Sequence, residues 1–160
     1  MKGTKMTKRT TTLNQISRIH IRKYKKGDKT AARELIANVW GKRWVPGNLH
    51  VFERFDGYVA ELDGKVVAGM GLDCGTYACL VDFIIVHSKY RRQGIAKKLL
   101  FYAFKYAKRR KQKIIKGFVD VKNNKPVLKI WAKYGFKQDG EMRNLYASND
   151  HYVYIYKFLK

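Results

Sequence analysis

The spacing of apolar residues divides the first third of the chain into short elements. Partial alternation of apolar and basic residues over 16–22 predicts a first strand. Apolar residues at helical spacing from Ala31 to Val39 predict a helix with Asp28 as its N-cap. The stretch 40–47 holds two tryptophans, a proline and two glycines, and is predicted to be a loop. Its indole rings, Trp40 and Trp44, either cover the core or line a binding site.

The middle of the chain reads as a hairpin, a buried strand and one strand–helix–strand unit. Two apolar runs, 57–62 and 65–72, flank Asp63 and Gly64, a pair typical of two-residue hairpin turns. The run 78–86 predicts a more buried strand. A one-sided apolar pattern from Gly94 to about Arg110 predicts a helix. The apolar run 114–121 follows that helix, so we expect it to lie parallel to the strand before.

The last forty residues predict a short helix and two closing strands. The helix opens around 123–126, with Pro126 in its first turn, and ends at Tyr134 before Gly135. The strands are predicted over 136–147 and 151–158, with 148–150 as the turn. The order indicates an α+β fold: one domain over 16–160, with a mixed, mostly antiparallel sheet of six to seven strands. Residues 1–15 are rich in threonine and lysine and are predicted to form a basic, disordered tail.

The net charge of the chain indicates what kind of partner it binds. Thirty-five basic residues against twelve acidic ones give a net charge of +23, and no Asp or Glu occurs between Phe83 and Val119. Such a field favours polyanions such as nucleic acid, an acidic membrane face or a phosphorylated cofactor, unless it only reflects a lysine-rich composition. Because no apolar run is long enough to span a membrane and no signal sequence is visible, we expect a cytoplasmic protein. Cys74 and Cys79 form no metal motif, and we expect them to be reduced.

One short motif, YRRQGIAKKLL over 90–100, indicates where an anion binds. It follows the apolar run 78–86, crowds basic residues around Gly94 and then begins a helix. The first N–H groups of a helix lack intrahelical acceptors and attract anions. The motif is neither a P-loop, because GxxxxGK[ST] is absent, nor a dinucleotide fingerprint, because GxGxxG is absent.

The residues around this motif resemble a known family. The segment 91–96, RRQGIA, fits the [Q/R]-x-x-G-x-[G/A] acetyl-CoA signature of the GNAT N-acetyltransferase superfamily, and the preceding DFIIVH at 82–87 is similar to that family's fourth strand. Downstream, Asn124 followed by WAKYGF at 131–136 is similar to its N-x(6)-Y-x-x-x-G-F segment. The resemblance covers 16–159. It implies an acetyl-CoA-dependent N-acetyltransferase with a GNAT-like fold, in which about four helices flank the sheet and the fourth and fifth strands splay apart in a V.

The resemblance also implies a cofactor site. Backbone N–H groups from Arg92 through Lys97 would hold the pyrophosphate of coenzyme A, and the backbone of the fourth strand would pair with the pantetheine arm. Asn124 matches a cofactor-contacting position, although a role as helix N-cap explains it equally well. The expected cofactor-binding residues are Ile84, Ile85, Val86, Arg91, Arg92, Gln93, Gly94, Ile95, Ala96, Lys97, Asn124 and Trp131.

The acceptor amine must lose a proton before it can attack the thioester. Asp82 is the first candidate for the base, because it is the acid of an apolar strand, where burial would raise its pKa. The alternative is that Asp82 forms a structural ion pair. Asp120, on the next strand, is a second candidate for base or amine anchor. A backbone N–H near Val86 would polarise the thioester carbonyl.

The departing thiolate needs a proton, and here the chain departs from the family pattern. Many members have a tyrosine where this chain has Trp131, and an indole N–H is not a general acid at neutral pH. Tyr134 is a nearby candidate donor, although it faces another side of the helix. Tyr152, Tyr154 or a water molecule are the alternatives.

The acceptor stays open between a protein or peptide amine, a polyamine or other small amine, and an amine carried by RNA. Substrate choice in this family comes from the regions that correspond to 40–55 and 141–154. Four acids, Glu53, Asp56, Asp73 and Asp82, could attract a cationic amine, whereas the charge of +23 repels free polycations and suits an acceptor on nucleic acid or the ribosome.

A second class of function is a non-catalytic or weakly active nucleic-acid-binding module that retains the coenzyme A site. A basic stripe on the predicted helix would serve it, although a solvated helix end explains the same residues: Lys105, Lys108, Arg109, Arg110, Lys111 and Lys113. No helix-turn-helix, zinc knuckle or RNP signature is visible. We expect no metal and no membrane association, and a homodimer is left open.

Overall fold

A computed structural model describes residues 18–145 and 148–160, apart from the side chains of Arg54, Asn123 and Asn124. The predicted tail, 1–15, and the start of the predicted first strand lie outside this range. The strands are β1 (His20–Lys23), β2 (Asp56–Leu62), β3 (Lys65–Cys74), β4 (Ala78–Val86), β5 (Ile114–Asp120), β6 (Lys137–Arg143) and β7 (His151–Phe158). The helices are α1 (Lys29–Trp40), α2 (Val45–Arg54), α3 (Ile95–Arg109) and α4 (Val121–Lys133).

The strands form one seven-stranded sheet in the order β1-β2-β3-β4-β5-β7-β6. The β4–β5 pair is parallel, because α3 connects the two strands, and the pairs β1–β2, β5–β7 and β6–β7 are antiparallel. The β4–β5 register runs from Ala78↔Ile114 to Val81↔Gly117, so it ends before either strand does. The predicted α+β, GNAT-like fold, with seven strands and four helices in the described residues, is confirmed.

Contacts divide the chain into two compact units, which we describe separately. The first comprises the chain up to Gly71 together with Phe83–Tyr102. Its core joins α1 and α2 to the sheet, with Phe52 at the centre and the Phe83 ring 4.9 Å away, centroid to centroid. A Cβ at Gly69 would lie 2.5 Å from the Phe52 ring, so only glycine leaves room for that ring.

The loop predicted over 40–47 is wrong except around Gly41, because Trp40 ends α1 and Val45 begins α2. A short 3-10 turn, Lys42–Trp44, leads directly into α2. Pro46 lies in the first turn of α2, where the missing N–H costs no hydrogen bond. Of the two tryptophans, Trp44 packs half-buried against the core and Trp40 contacts the edge of Phe83.

The sequence predicted that the Asp28 side chain caps α1. In the structure it makes no capping hydrogen bond to that helix. The residue is buried, and its carboxylate accepts two hydrogen bonds from Arg22, at 2.7 and 2.9 Å. Arg22 also donates to Glu61 at 2.8 and 2.9 Å. The hydrogen bonds from Arg22 hold the pKa of Asp28 below its ordinary value. Ion pairing therefore took priority over capping, because a buried carboxylate requires a compensating charge.

The second unit comprises Leu72–Asp82 together with Ala103–Lys160. Here α4 begins at Val121, earlier than predicted, and Asp120 is its N-cap, accepting the Lys122 N–H at 3.0 Å. The N-cap alternative for Asn124 is therefore wrong, and Pro126 lies inside the helix rather than in its first turn. The side chain of Asn124 lies outside the described residues.

Cys74 and Cys79 form a disulfide, so the prediction of reduced thiols is wrong. Cys74 ends β3 and Cys79 is the second residue of β4, and the intervening turn brings them opposite each other. The side chain of Gln112 secures the same turn by donating to the Gly75 carbonyl at 3.0 Å. In the described part of the chain, no helix is long and apolar enough to cross a membrane.

Candidate active site

The predicted anion site, residues 92–97, is called the cradle below. It lies in the first unit, where β4 ends and α3 begins. A 3-10 turn, Ser88–Tyr90, follows β4, and then Arg92 and Gly94 adopt positive φ angles of 63° and 82°. The Lys98 N–H closes the first turn of α3 on the Gly94 carbonyl at 3.0 Å. The N–H groups of residues 95–97 precede this bond, so they are the donors that a helix start leaves for an anion. Alternating backbone conformations of this kind also form anion-binding concavities.

The side chains around the cradle add positive charge and hold its shape. The first turn of α3 contains no acidic residue, and Arg91, Arg92 and Lys97 are exposed. Arg91 Nε donates to the Val86 carbonyl at 3.2 Å, which ties the loop back to the end of β4. Gln93 donates from Nε2 to the Lys89 carbonyl at 3.4 Å. The sequence predicted Arg91 only as an anion contact, so its structural bond was missed.

The backbone at the end of β4, expected to pair with the pantetheine arm, is oriented by the contacts of β4 with β3. The His87 N–H donates to the Val67 carbonyl of β3 at 3.0 Å. Because backbone groups of successive strand residues point to opposite sides, the N–H and C=O of Val86 point away from β3. Ile85 is buried, whereas Ile84 and Val86 are half-buried.

The candidate base Asp82 lies in the second unit and is exposed. The burial expected for Asp82 is therefore not found. Its strand explains the exposure: Cys79 and Val81 are buried, and Asp82 lies on the opposite face. The assignment of Asp82 as the base stays a prediction, and it no longer rests on burial.

Asp120 lies at the end of β5 in the same unit and is the register partner of Tyr152 on β7. Leu80 of β4 is the register partner of Lys116, so the exposed face of β4 continues into the face of β5 that carries Asp120. The structure thus brings Asp120 and Tyr152 together on one face. Because Asp120 also caps α4, it has a structural role that the sequence did not indicate.

The candidate proton donors occupy different places in the second unit. Trp131 packs edge-on against Phe136, with ring centroids 4.8 Å apart. Tyr134 is half-buried at the C-cap of α4, where its carbonyl accepts a hydrogen bond from Lys157 at 2.6 Å. Tyr154 lies on β7, and burial, assisted by Asp139, raises its pKa above the ordinary tyrosine value. Tyr154 is therefore protonated at neutral pH and able to donate.

Two of the four acids proposed to attract the acceptor are already paired. Glu53 lies 3.6 Å from Lys29, and Asp56 lies 3.1 Å from Lys23. Asp73 is exposed on β3. Within residues 18–145 and 148–160, no group of three or more potential metal ligands occurs.

A family model for the acetyltransferase (GNAT) domain matches residues 53–138, more than half of the 160 residues. A comparison with curated protein sequences found no match. Among solved structures, the chain is similar to the ribosomal-protein-S18-alanine N-acetyltransferase from Escherichia coli, with 18% identity and a TM-score of 0.76 over 89% of this chain and 94% of that one.

Two further structures extend the likeness. The chain is similar to the PaiA N-acetyltransferase from Thermoplasma acidophilum in complex with coenzyme A, with 18% identity and a TM-score of 0.74 over 88% of this chain and 99% of that one. It is also similar to YncA, a putative acetyltransferase from Salmonella typhimurium with its cofactor acetyl-CoA, with 18% identity and a TM-score of 0.71 over 89% and 94%. These structural similarities, at 18% identity, show the fold alone. With the family model and the cradle, they lead to one conclusion: the chain belongs to the GNAT acetyltransferase family.

Proposed function

We propose that this protein transfers an acetyl group from acetyl-CoA to a primary amine by direct attack of the amine on the thioester. The observation that carries the proposal is the cradle at the start of α3, with positive φ at Arg92 and Gly94 and only cations among its charged side chains. Pyrophosphate is negatively charged and accepts hydrogen bonds, so it matches the cations and the backbone N–H donors of the cradle. Relatives of this fold crystallised with acetyl-CoA or coenzyme A support the same ligand.

Acetyl-CoA, when bound, supplies an activated acetyl thioester. The N–H groups of residues 95–97 would hold its pyrophosphate, with Arg92 adding a charge-assisted contact. The Val86 N–H, which points away from β3, would donate to the thioester oxygen as charge develops there.

We assign the removal of the amine proton to Asp82, directly or through a water molecule. Its side chain is exposed on the open face of β4, where an acceptor can reach it. Asp120 would anchor the ammonium form of the acceptor before the proton is lost. The Asp120 carboxylate already accepts one backbone N–H, which fixes its orientation.

The proton for the thiolate would come from a tyrosine of the second unit or from water. Tyr134, Tyr152 and Tyr154 are the candidates, and Trp131 is excluded as an acid by the chemistry of indole. Single Tyr→Phe variants separate the three. The donor's variant should lose kcat, and the loss should shrink with a thioester whose leaving group is more acidic, because such a thiolate departs without help.

The acceptor that we propose is an amine on a protein, a small molecule or RNA. The similar Escherichia coli enzyme is named for a ribosomal protein alanine. The net charge of +23 supports an acceptor carried on a polyanion over a free polycation.

Thermal unfolding with and without acetyl-CoA tests the cofactor site. A ligand at about 100 times its Kd should stabilise the protein by about 2.7 kcal/mol. Release of coenzyme A from labelled acetyl-CoA, followed with a panel of peptides, polyamines, aminoglycosides and aminoacyl-tRNA, tests the transfer. No stabilisation by acetyl-CoA at millimolar concentration would refute the proposal.

The variant Asp82→Asn tests the base, with Asp63→Asn as its matched control. Asp63 is an exposed acid in the β2–β3 turn, outside the proposed machinery, and asparagine tolerates its positive φ of 51°. We expect Asp82→Asn to lose kcat/KM at neutral pH and to recover part of it as rising pH deprotonates the amine. Equal activity of the two variants at every pH would show that Asp82 is not the base.

A further inference from the structure

One strand of the second unit carries an aromatic row, and the proposed acetyl transfer involves only one end of it. Along β7 the alternate residues Tyr152, Tyr154, Tyr156 and Phe158 share one face, while Val153 and Ile155 between them are buried on the other. The Tyr154 and Tyr156 rings are stacked with centroids 6.2 Å apart, and Tyr156 meets Phe158 edge-on at 5.6 Å. Tyr152 and Tyr154 are near the candidate chemistry, whereas Tyr156 and Phe158 lie at the opposite end of the strand.

This opposite end exposes its rings to solvent. Phe158 is 61% exposed and Tyr77, which precedes β4, is 64% exposed. Phe158 pairs with Ile114, the first residue of β5, and the N–H of Ile114 donates to the Tyr77 carbonyl at 3.2 Å. Tyr77 and Phe158 therefore lie on the two chain segments that neighbour the start of β5. A folded protein rarely leaves large rings exposed together unless something covers them.

Lysines from neighbouring segments of the chain lie next to Tyr77 and Tyr156. Lys113 Nζ lies 5.5 Å from the centroid of the Tyr77 ring. Tyr156 has Lys116 of β5 and Lys137 of β6 as register partners on its two sides, and partners in register share a face. The aromatic–lysine surface defined in this way comprises Tyr77, Lys113, Lys116, Lys137, Tyr156 and Phe158.

We propose that the aromatic–lysine surface binds single-stranded nucleic acid, with bases stacked on Tyr77, Tyr156 and Phe158 and phosphates on the lysines. Exposed aromatic rings with interspersed cations suit this ligand, because every base offers a flat face and every linkage offers a negative charge. Sheet faces that present aromatic rings bind single-stranded RNA in the same way.

Charge selects this occupant over a second copy of the chain. Two copies that meet through this surface would bring six lysines together, against the repulsion of two proteins of charge +23 each. A polyanion gains from the same field. The proposal is independent of acetyl transfer, because it concerns binding in the absence of acetyl-CoA.

Fluorescence anisotropy with a labelled twelve-nucleotide oligouridylate, and with the DNA of matching sequence, tests the proposal on the full chain. We expect binding that weakens steeply with salt, by a log–log slope of about −0.7 for each phosphate neutralised. Loss of one stacking ring should weaken binding about five-fold to 150-fold. Phe158→Ala and Tyr77→Ala are the variants, and both rings are exposed enough for the fold to tolerate their loss. Phe158→Trp, which keeps a stacking face, should bind like the natural protein.

Phe101→Ala is the matched control. Phe101 is 42% exposed on α3 and has Lys97 Nζ 5.7 Å from its ring centroid, so it resembles the proposed surface without belonging to it. The proposal predicts full binding by this variant. It also predicts that Lys113→Gln lowers the salt slope more than the double variant Lys105→Gln, Lys108→Gln does.

Several outcomes would overturn the proposal. Binding of neither oligonucleotide at 50 mM salt would do so, as would binding that depends on Lys105 and Lys108 but not on Phe158. Light scattering that shows a dimer converted to a monomer by Phe158→Ala would assign the surface to a second copy. Binding to vesicles with anionic lipid, but to no oligonucleotide, would assign it to a membrane.

Discussion

Replacing Gly94 by alanine tests whether the cradle binds the pyrophosphate, provided that the effect on ligand binding is distinguished from the effect on stability. Gly94 has a φ of 82°, and an L-residue in this region costs about 1–2 kcal/mol. For a protein of this size, that cost lowers Tm by about 2–8 °C. Gly64 provides the matched control, since it has a φ of 76° in the β2–β3 turn and open space where a Cβ would be. Gly64→Ala should therefore lose similar stability without touching the proposed ligand.

The two variants should differ in their response to acetyl-CoA. A concentration of 100 times the Kd stabilises the natural protein by about 2.7 kcal/mol, and Gly64→Ala should keep this gain. We expect a methyl group at Gly94 to weaken binding at least ten-fold, because it occupies the space where the backbone meets the pyrophosphate. The gain at the same concentration then falls to about 1.4 kcal/mol or less. Differential scanning fluorimetry measures both values. Equal ligand-induced shifts for the two variants would refute the cradle as the pyrophosphate site.

Three further predictions concern stability. Arg22→Met should lower the free energy of unfolding, measured with urea, by about 3–5 kcal/mol, because it leaves Asp28 and Glu61 as uncompensated charges. A decrease of less than about 1 kcal/mol would contradict this reasoning. Because the pKa of Asp28 is lowered, its stabilisation is present above the ordinary aspartate pKa of about 3.9 and is lost as acid protonates the carboxylate. Asp28→Asn should therefore flatten the decline of Tm as the pH falls below about 4; an unchanged slope would exclude that role. Gly57→Ala should cost about 1–3 kcal/mol, because its Cβ would lie 2.5 Å from a backbone oxygen of α2, whereas Gly27→Ala has open space and should be neutral; equal melting of the pair would contradict the clash.

Elements with a local cause were predictable from the sequence. The hairpin at Asp63 and Gly64 needs two consecutive residues with positive φ, and this pair adopts angles of 51° and 76°. The one-sided pattern of α3 predicted its buried face, and Ile95, Leu99, Ala103 and Tyr106 are all buried. The element α2 was missed because Pro46 and Gly47 look like breakers, although Val45, Leu49 and Phe52 repeat at helical spacing and are buried.

The sequence by itself therefore determined the order of the strands, the hairpin turn at Asp63 and Gly64 and the buried face of α3, because these depend on residues that are close in the chain. Only the tertiary structure decided the partners of polar groups. Arg22 meets Glu61 across 39 positions and also binds Asp28, whose side chain does not cap α1. Pairing of β5 with β7 placed Tyr156 beside Lys116. Such choices follow from which strands become neighbours, and no local pattern of residues encodes them.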